Sequence, residues 1–437
     1  MRQQIKTGFS DSFLVFIALL SSVLTVSAQT DTVITVNLEN DAVRRYMSEV
    51  HYVSREDTSL VNDYNVAPPR RRDIPTPVVI PMPDVDADTL LLTYADSADF
   101  SEGVHALKIA RGTKEAEIYN LIPQRTYYYM IMADDRMVSN GEIHTEGQVR
   151  MIYVPGANNI RDMGGWPTAD GRRIKYGKLF RGTELNGYHY VDSAGLAYMT
   201  DELGIQAEID MRAWYDSAHN VSAFGFQAST YGNTDYNPYY YTSDSGQLFE
   251  DISIYRSQLR WRWELMFIVN NLKRDRNVYY HCVWGGDRTG YLSLFLEGLL
   301  GVDYDGLIKD YELTSFYSGG RTKSRIEPVL DTIMTYEGNT LQEKFNSFFI
   351  KTIKSAQADI DFFREAMLEE VKSTDDNGNN GNGDNDNPTT AIRTLRQDEG
   401  TEPAAVYDLR GSRIGYTAKR GLVIEIGRDG TARKIIR

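Results

Sequence analysis

The chain has 437 residues, 41% hydrophobic and 11% aromatic, enough for two or three domains with real apolar cores. Its 61 acidic residues outnumber 47 basic ones, giving a formal net charge of −14 with no Lys/Arg stripe, which argues against a nucleic-acid partner. A lone cysteine, Cys282, leaves no internal disulfide to form.

Residues 1–28 read as an export signal. Arg2 and Lys6 precede an apolar stretch starting at Phe13, and Val26-Ser27-Ala28 before Gln29 has the small-residue pattern of a cleavage site. Ser21 and Ser22 break the stretch, favouring a signal over a membrane anchor, and no later segment reads as spanning a bilayer. The mature chain is expected to be periplasmic, surface-bound or secreted, its thiol shielded or poised against oxidation. Residues 29–71, an N-terminal extension, show little pattern, and Pro68-Pro69-Arg70-Arg71-Arg72 reads as a solvated linker.

Residues 72–147 form an all-β module in this reading. Pro77-Val78-Val79-Ile80, the run 89–94, Ala116-Glu117-Ile118-Tyr119 and the run 126–132 are β-rich and separated by polar turns. Leu121-Ile122-Pro123 followed by Tyr127 resembles the tyrosine corner of fibronectin type III domains, in which the phenol ties a strand back to an upstream carbonyl. A sandwich is expected, as a spacer in preference to a docking module for a protein or surface partner.

Residues 148–371 alternate between strand and helix patterns. The segments 207–209 and 278–280 read as strands, and 261–268 has helical spacing. Between them, 220–246 looks like an insertion; the aromatics of 236–241 are either a substrate wall or, preferably, packing. The chemistry concentrates in His281-Cys282-Val283-Trp284-Gly285-Gly286-Asp287-Arg288-Thr289-Gly290, between a strand and a helix. If 283–288 curl around a centre, their N–H groups form a nest of donors and the helix adds its positive end, which suits a phosphate dianion. The same field favours an ionised Cys282. Val283, Trp284, Gly285, Gly286 and Asp287 would line the anion, while Arg288 offers a planar fork for two phosphoryl oxygens.

These residues resemble the signature of cysteine-dependent protein tyrosine phosphatases, in the bacterial variant ending Gly-x-Asp-Arg-Thr-Gly. The resemblance extends to Asn159-Ile160-Arg161-Asp162-Met163-Gly164-Gly165, Gly177-Lys178-Leu179-Phe180-Arg181, and 203–205 through Ile209-Asp210-Met211-Arg212. It implies an α/β fold with a central, mostly parallel sheet flanked by helices. It also implies that Cys282 attacks phosphorus to form a cysteinyl-phosphate, that Arg288 and the loop amides stabilise the transition state, and that Asp287 is the general acid. Thr289 would donate to the sulfur and His281 would fix the loop through its ring. Asp210 and Arg212 are a second acid and substrate clamp or, preferably, an ion pair closing a strand. Arg161 and Asp162 support the pocket wall or simply shape a turn, and Arg181 buttresses the loop.

Gly286 is a departure, because relatives acting on phosphoinositides carry lysine there. Its loss favours phosphotyrosine, in a phosphorylated protein, or another small phosphomonoester. Two rival readings remain: an inositol phosphate or phosphoinositide phosphatase, and a non-catalytic surface binding protein with a vestigial pocket. The six histidines lack metal-ligand spacing, so neither metal nor cofactor is expected. Residues 372–390 read as a flexible linker whose Asp/Asn run lacks the pattern of a calcium loop. The β-patterned tail, 391–437, resembles the sorting domains of Bacteroidetes secreted proteins or is a small folding cap.

Overall fold

A computed structural model describes residues 32–65, 73–212, 216, 221–234 and 255–371, with the backbone of four short strands between 405 and 436. The expected export signal, the 68–72 linker, the aromatic run 236–241 and the linker 372–390 lie outside the described residues. Contacts group Thr30–Lys372 as one compact unit, with Ser373–Arg437 in another.

The first unit opens with β1 (Val33–Asn37), α1 (Asp41–Glu49) and the single turn α2 (Val61–Tyr64). Asn40 caps α1 by accepting the Val43 N–H at 3.2 Å, which satisfies one of the donors that every helix start leaves open. Then come β2 (Val78–Pro81), β3 (Leu90–Ala95), β4 (His105–Ile109), β5 (Glu115–Ile118), β6 (Thr126–Ala133) and β7 (Arg136–Glu146). One sheet has the order β1-β7-β6-β3-β4, and β2 pairs with β5 in another. Alternate side chains of both, such as Val78, Ile80, Leu90, Leu92, Ile118, Tyr129 and Ile131, share one apolar core, as a two-residue period requires. The extension that shows little pattern in sequence thus supplies β1, parallel to β7. Tyr127 does sit at a corner, but its phenol oxygen accepts the Ile122 N–H at 2.9 Å where a bond to a carbonyl was expected.

The α/β part follows with β8 (Arg161–Asp162), β9 (Arg172–Ile174), β10 (Leu179–Gly182), α3 (Ser193–Asp201), β11 (Ile205–Asp210), β12 (Tyr231–Asn233), α4 (Tyr255–Leu272) and β13 (Asn277–His281). Next are α5 (Asp287–Leu300), α6 (Tyr304–Leu313), α7 (Glu327–Met334), α8 (Leu341–Phe348), α9 (Gln357–Met367) and β14 (Leu368–Glu370). The sheet runs β12-β11-β13-β10-β8, parallel throughout except for β8. Central β13 is covered on both faces, which explains its unalternating run Val278-Tyr279-Tyr280. On one side lies α5, buried from Arg288 to Leu300 and apolar nearly all round. On the other, Phe180, Ile205 and Tyr279 pack with Met199 and Leu203. No helix among the described residues is long and apolar enough to cross a membrane. In the C-terminal unit, β15 (Ala405–Tyr407), β16 (Arg413–Ile414), β17 (Leu422–Ile426) and β18 (Ala432–Ile436) form an antiparallel sheet in the order β16-β15-β17-β18.

The N-terminal extension also straps the α/β part. The phenols of Tyr46 and Tyr52 both donate to Glu312 Oε2 at 2.6 Å. Glu312 Oε1 accepts the Lys323 N–H at 2.6 Å, and Lys323 Nζ donates to the carbonyls of Ser54, Arg55 and Asp57 at 3.0, 2.7 and 2.6 Å. Lys323→Met removes the donor that those carbonyls and Glu327 share, so it is expected to cost about 2–4 kcal/mol. Urea unfolding checks this: the midpoint should fall at constant slope, and an unchanged midpoint would show that the strap contributes nothing.

Candidate active site

β13 ends at His281, the turn 282–286 follows, and α5 begins at Asp287 with Gly286 as an N-cap that has no side chain to offer. The first amides of α5 therefore have no side-chain cap. Within the turn, Val283 O accepts the Glu184 N–H at 3.2 Å. Asn159 Nδ2 donates to Trp284 O at 3.3 Å and Gly285 O at 3.2 Å, and Arg181 Nη2 donates to Gly285 O at 3.1 Å. A trans peptide sets its N–H opposite its C=O. With these three carbonyls tied to the scaffold, the N–H groups of Trp284, Gly285 and Gly286 face the other way. Gly285 makes the turn at φ 66°, where a Cβ would also run into the Gly182 carbonyl.

The donors holding the turn belong to a buried charge network. Arg161 reaches Asp310 through Nε at 2.9 Å and Nη2 at 3.2 Å, and Asn159 Oδ1 through Nη1 at 2.9 Å. Arg181 Nη1 meets Asp310 Oδ2 at 2.5 Å and Ser293 Oγ at 2.6 Å. Burial acts to raise Asp310, but Arg161 and Arg181 overcome it and hold the carboxyl below its usual range. Burial pushes nearby Glu297 well up, and the Asp310 carboxylate adds to that shift.

Cys282 is buried at the start of the turn. His281 Nε2 is 2.8 Å from Glu208 Oε1 and Nδ1 is 3.2 Å from the Cys282 carbonyl, so both ring nitrogens are engaged. Arg288 Nη1 lies 2.8 Å from both Met211 O and Asp216 Oδ2. The expected contact from Thr289 to sulfur is absent: the hydroxyl is buried with no hydrogen-bond partner. Asp287 Oδ2 accepts from Arg321 Nη2 at 2.8 Å, while Oδ1 lies 3.4 Å from both Arg325 Nη1 and the Tyr311 hydroxyl.

Other expected residues divide between loop support and scaffold. Arg161 and Arg181 stand under the turn, whereas Asp162 accepts from Arg150 at 3.1 Å and from the N–H groups of Gly164 and Gly177 at 2.9 and 2.7 Å, which is turn chemistry. Asp210 and Arg212 make a two-pronged ion pair at 2.9 and 2.8 Å that closes β11, with Arg212 also reaching Glu184. Burial would raise Asp210, yet His281 and Arg212 bring it below its usual range.

Residues that the sequence does not assign to the site include Glu208, Asp216, Asp310 and Arg321, and Tyr188, His189 and Tyr317, which form an aromatic rim with Trp284 beside the turn. Trp284, 38% exposed, lies 5.0 Å from Tyr188, 4.9 Å from His189 and 6.3 Å from Tyr317, centroid to centroid. Position +2 from the cysteine was the signal for Trp284; the other three carry no local pattern.

The model of the tyrosine phosphatase family matches residues 152–376, just over half the chain. A Cupriavidus necator protein with the provisional name tyrosine-protein phosphatase is 26% identical over 177 residues, covering 35% of this chain and 59% of its own length.

Glu297 holds its proton more tightly in the folded state, so the stability it contributes is complete below the ordinary glutamate pKa of about 4.3 and is lost as pH rises above it. Asp310 has the opposite sign, its contribution present above about 3.9 and lost as pH falls below it. Glu297→Gln should therefore be neutral or stabilising at pH 7 and lose ground against the parent at pH 4. Unfolding curves at both pH values test it, and an equal loss at both would refute the linkage.

Proposed function

The chain belongs to the tyrosine phosphatase family, and on that premise we propose that it is an exported phosphomonoesterase acting through a cysteinyl-phosphate on phosphotyrosine or a related aryl monoester. The observation that carries this reading is the turn itself: three carbonyls pulled outward behind Cys282, with Arg288 six residues on. A dianion in that cradle meets amide donors and a guanidinium together. Cys282 sulfur attacks phosphorus, the P–O bond to the leaving group breaks, and Asp287 gives a proton to the departing oxygen. In the second step water attacks phosphorus, Asp287 takes its proton, and sulfur leaves with the electron pair of the P–S bond. Both Asp287 oxygens are engaged as found, so a guanidinium contact must loosen to make room for that proton.

The rim of Trp284, Tyr188, His189 and Tyr317 supports an aryl substrate, since a phenyl ring entering the cradle passes flat or edge-on aromatic neighbours. We read the N-terminal β-module as a fibronectin type III-like spacer, supported by two sheets around one core and the Tyr127 tie.

Cys282→Ser should keep inorganic phosphate binding while turnover falls by roughly a thousandfold or more, as expected for loss of a nucleophile. Retained turnover in that variant, or an inactive parent enzyme assayed reduced across pH, would sink the mechanism. Asp287→Asn should slow alkyl phosphates by about a hundredfold or more and aryl phosphates much less, because good leaving groups need little protonation. Trp284→Ala should raise KM for a phosphotyrosyl peptide by about tenfold, with glycerol phosphate unaffected.

A further inference from the structure

Gly286 leaves a vacant side-chain position in the anion turn, and another residue fills it. Arg321 crosses over Gly286 so closely that a Cβ there would stand 2.7 Å from its Nε and 3.2 Å from Nη2. The guanidinium is fixed from several sides. Its Nη1 donates to Ser318 Oγ at 3.1 Å and Gly319 O at 3.2 Å, and its Nη2 to Asp287. Ser315 Oγ holds the backbone of the same residue, accepting its N–H at 3.0 Å and donating to its carbonyl at 2.7 Å.

Two features are not accounted for by a structural ion pair. The Nε–H is buried and has no acceptor, an expense that folded proteins rarely carry without a reason. Among the described residues the charge also fails to balance: Asp287 is the one carboxylate paired with both Arg321 and Arg325, which leaves a positive charge in excess beside the turn of a strongly acidic protein. The field of Cys282 reaches Arg321 as well, adding to the effects that raise the guanidinium above its usual pKa, though burial, the largest influence, acts against them.

We propose that Arg321 is a second substrate-binding guanidinium, its Nε–H donating to an oxygen of the phosphoryl group held in the 282–288 turn and supplying from a distant segment the cation that position 286 lacks. This rests on the phosphomonoesterase reading and assigns a further residue to the same site. Bound this way, the phosphoryl group meets two planar cations, Arg288 from the helix and Arg321 from the facing loop.

The test uses the full mature chain, with inorganic phosphate and p-nitrophenyl phosphate as probes. Arg321→Ala should weaken phosphate as a competitive inhibitor and raise KM for the aryl ester by about tenfold to a hundredfold, the usual range for a lost charge-assisted hydrogen bond. Arg321→Lys should recover part of that loss. The decisive variant is the exchange: Gly286→Lys alone collides with Arg321, whereas Gly286→Lys with Arg321→Ala should restore phosphate affinity relative to Arg321→Ala. Phosphate-dependent thermal shifts of the same changes in a Cys282→Ser background read binding without turnover. Unchanged phosphate affinity in Arg321→Ala, with only kcat reduced, would confine Arg321 to positioning Asp287 and overturn the proposal. If instead the parent is inactive while the Arg321 variants still lose phosphate binding, the catalytic reading fails and the anion site stands. Should Arg321→Ala melt below the assay temperature, Arg321→Lys and the exchange variant decide the matter on the same two readouts.

Discussion

The site depends on which way three peptide planes face. An amide nest binds an anion only if consecutive N–H groups converge, and a free turn would let each plane rotate to solvate its carbonyl. Here the carbonyls of Val283, Trp284 and Gly285 are held from behind by the Glu184 amide, Asn159 and Arg181. Arg181 and Arg161 are fully buried and would be costly there in isolation. Asp310 offsets that cost by serving both, and Asn159 links Arg161 to the turn, so the charges that orient the amides need never touch a ligand.

The same logic ties the N-terminal extension to the site. The loop after α6 carries Arg321 and Arg325 to Asp287, and that loop is fastened by Lys323, whose ammonium is spent on carbonyls of the N-terminal extension. Asp73, just past the 68–72 linker, accepts the Asn159 N–H at 2.7 Å and so reaches the residue that turns the loop carbonyls. The extension, the β-module and the α/β part thus share a mechanical frame, consistent with their forming one compact unit.

What could be read in the sequence was what is local. The Cys282 to Arg288 turn, the strand feeding it and the helix leaving it occupy one short segment, and the tyrosine tie spans five residues. Arg161 and Arg181 were visible as residues of conspicuous motifs, yet their common partner Asp310 lies 149 and 129 positions away in a helix whose charged residues give no sign in sequence that they are buried. Glu208 pairs with His281 across 73 residues and looks in sequence like any strand carboxylate. The extension was opaque because its one strand pairs with β7 and its helix packs on α6, so its pattern has meaning only after both have formed. Thr289 shows the converse limit: the family resemblance implied a role, but the hydroxyl makes no bond to sulfur as the turn stands.

Taking a cation from position 321 has consequences beyond replacing a missing side chain. A lysine on the turn would be a flexible point charge that loses rotamer freedom each time it meets an anion. Arg321 has already lost that freedom, its backbone clamped by Ser315 and its guanidinium by Ser318, Gly319 and Asp287. A donor fixed before the ligand arrives costs little to use and is suited to charge that develops in a transition state. On that proposal one guanidinium serves both partners, the phosphoryl oxygen through Nε and Asp287 through Nη2. On the proposed mechanism, the contact that gives way to a proton on Asp287 is the longer one, from Arg325 at 3.4 Å, while Arg321 stays in place.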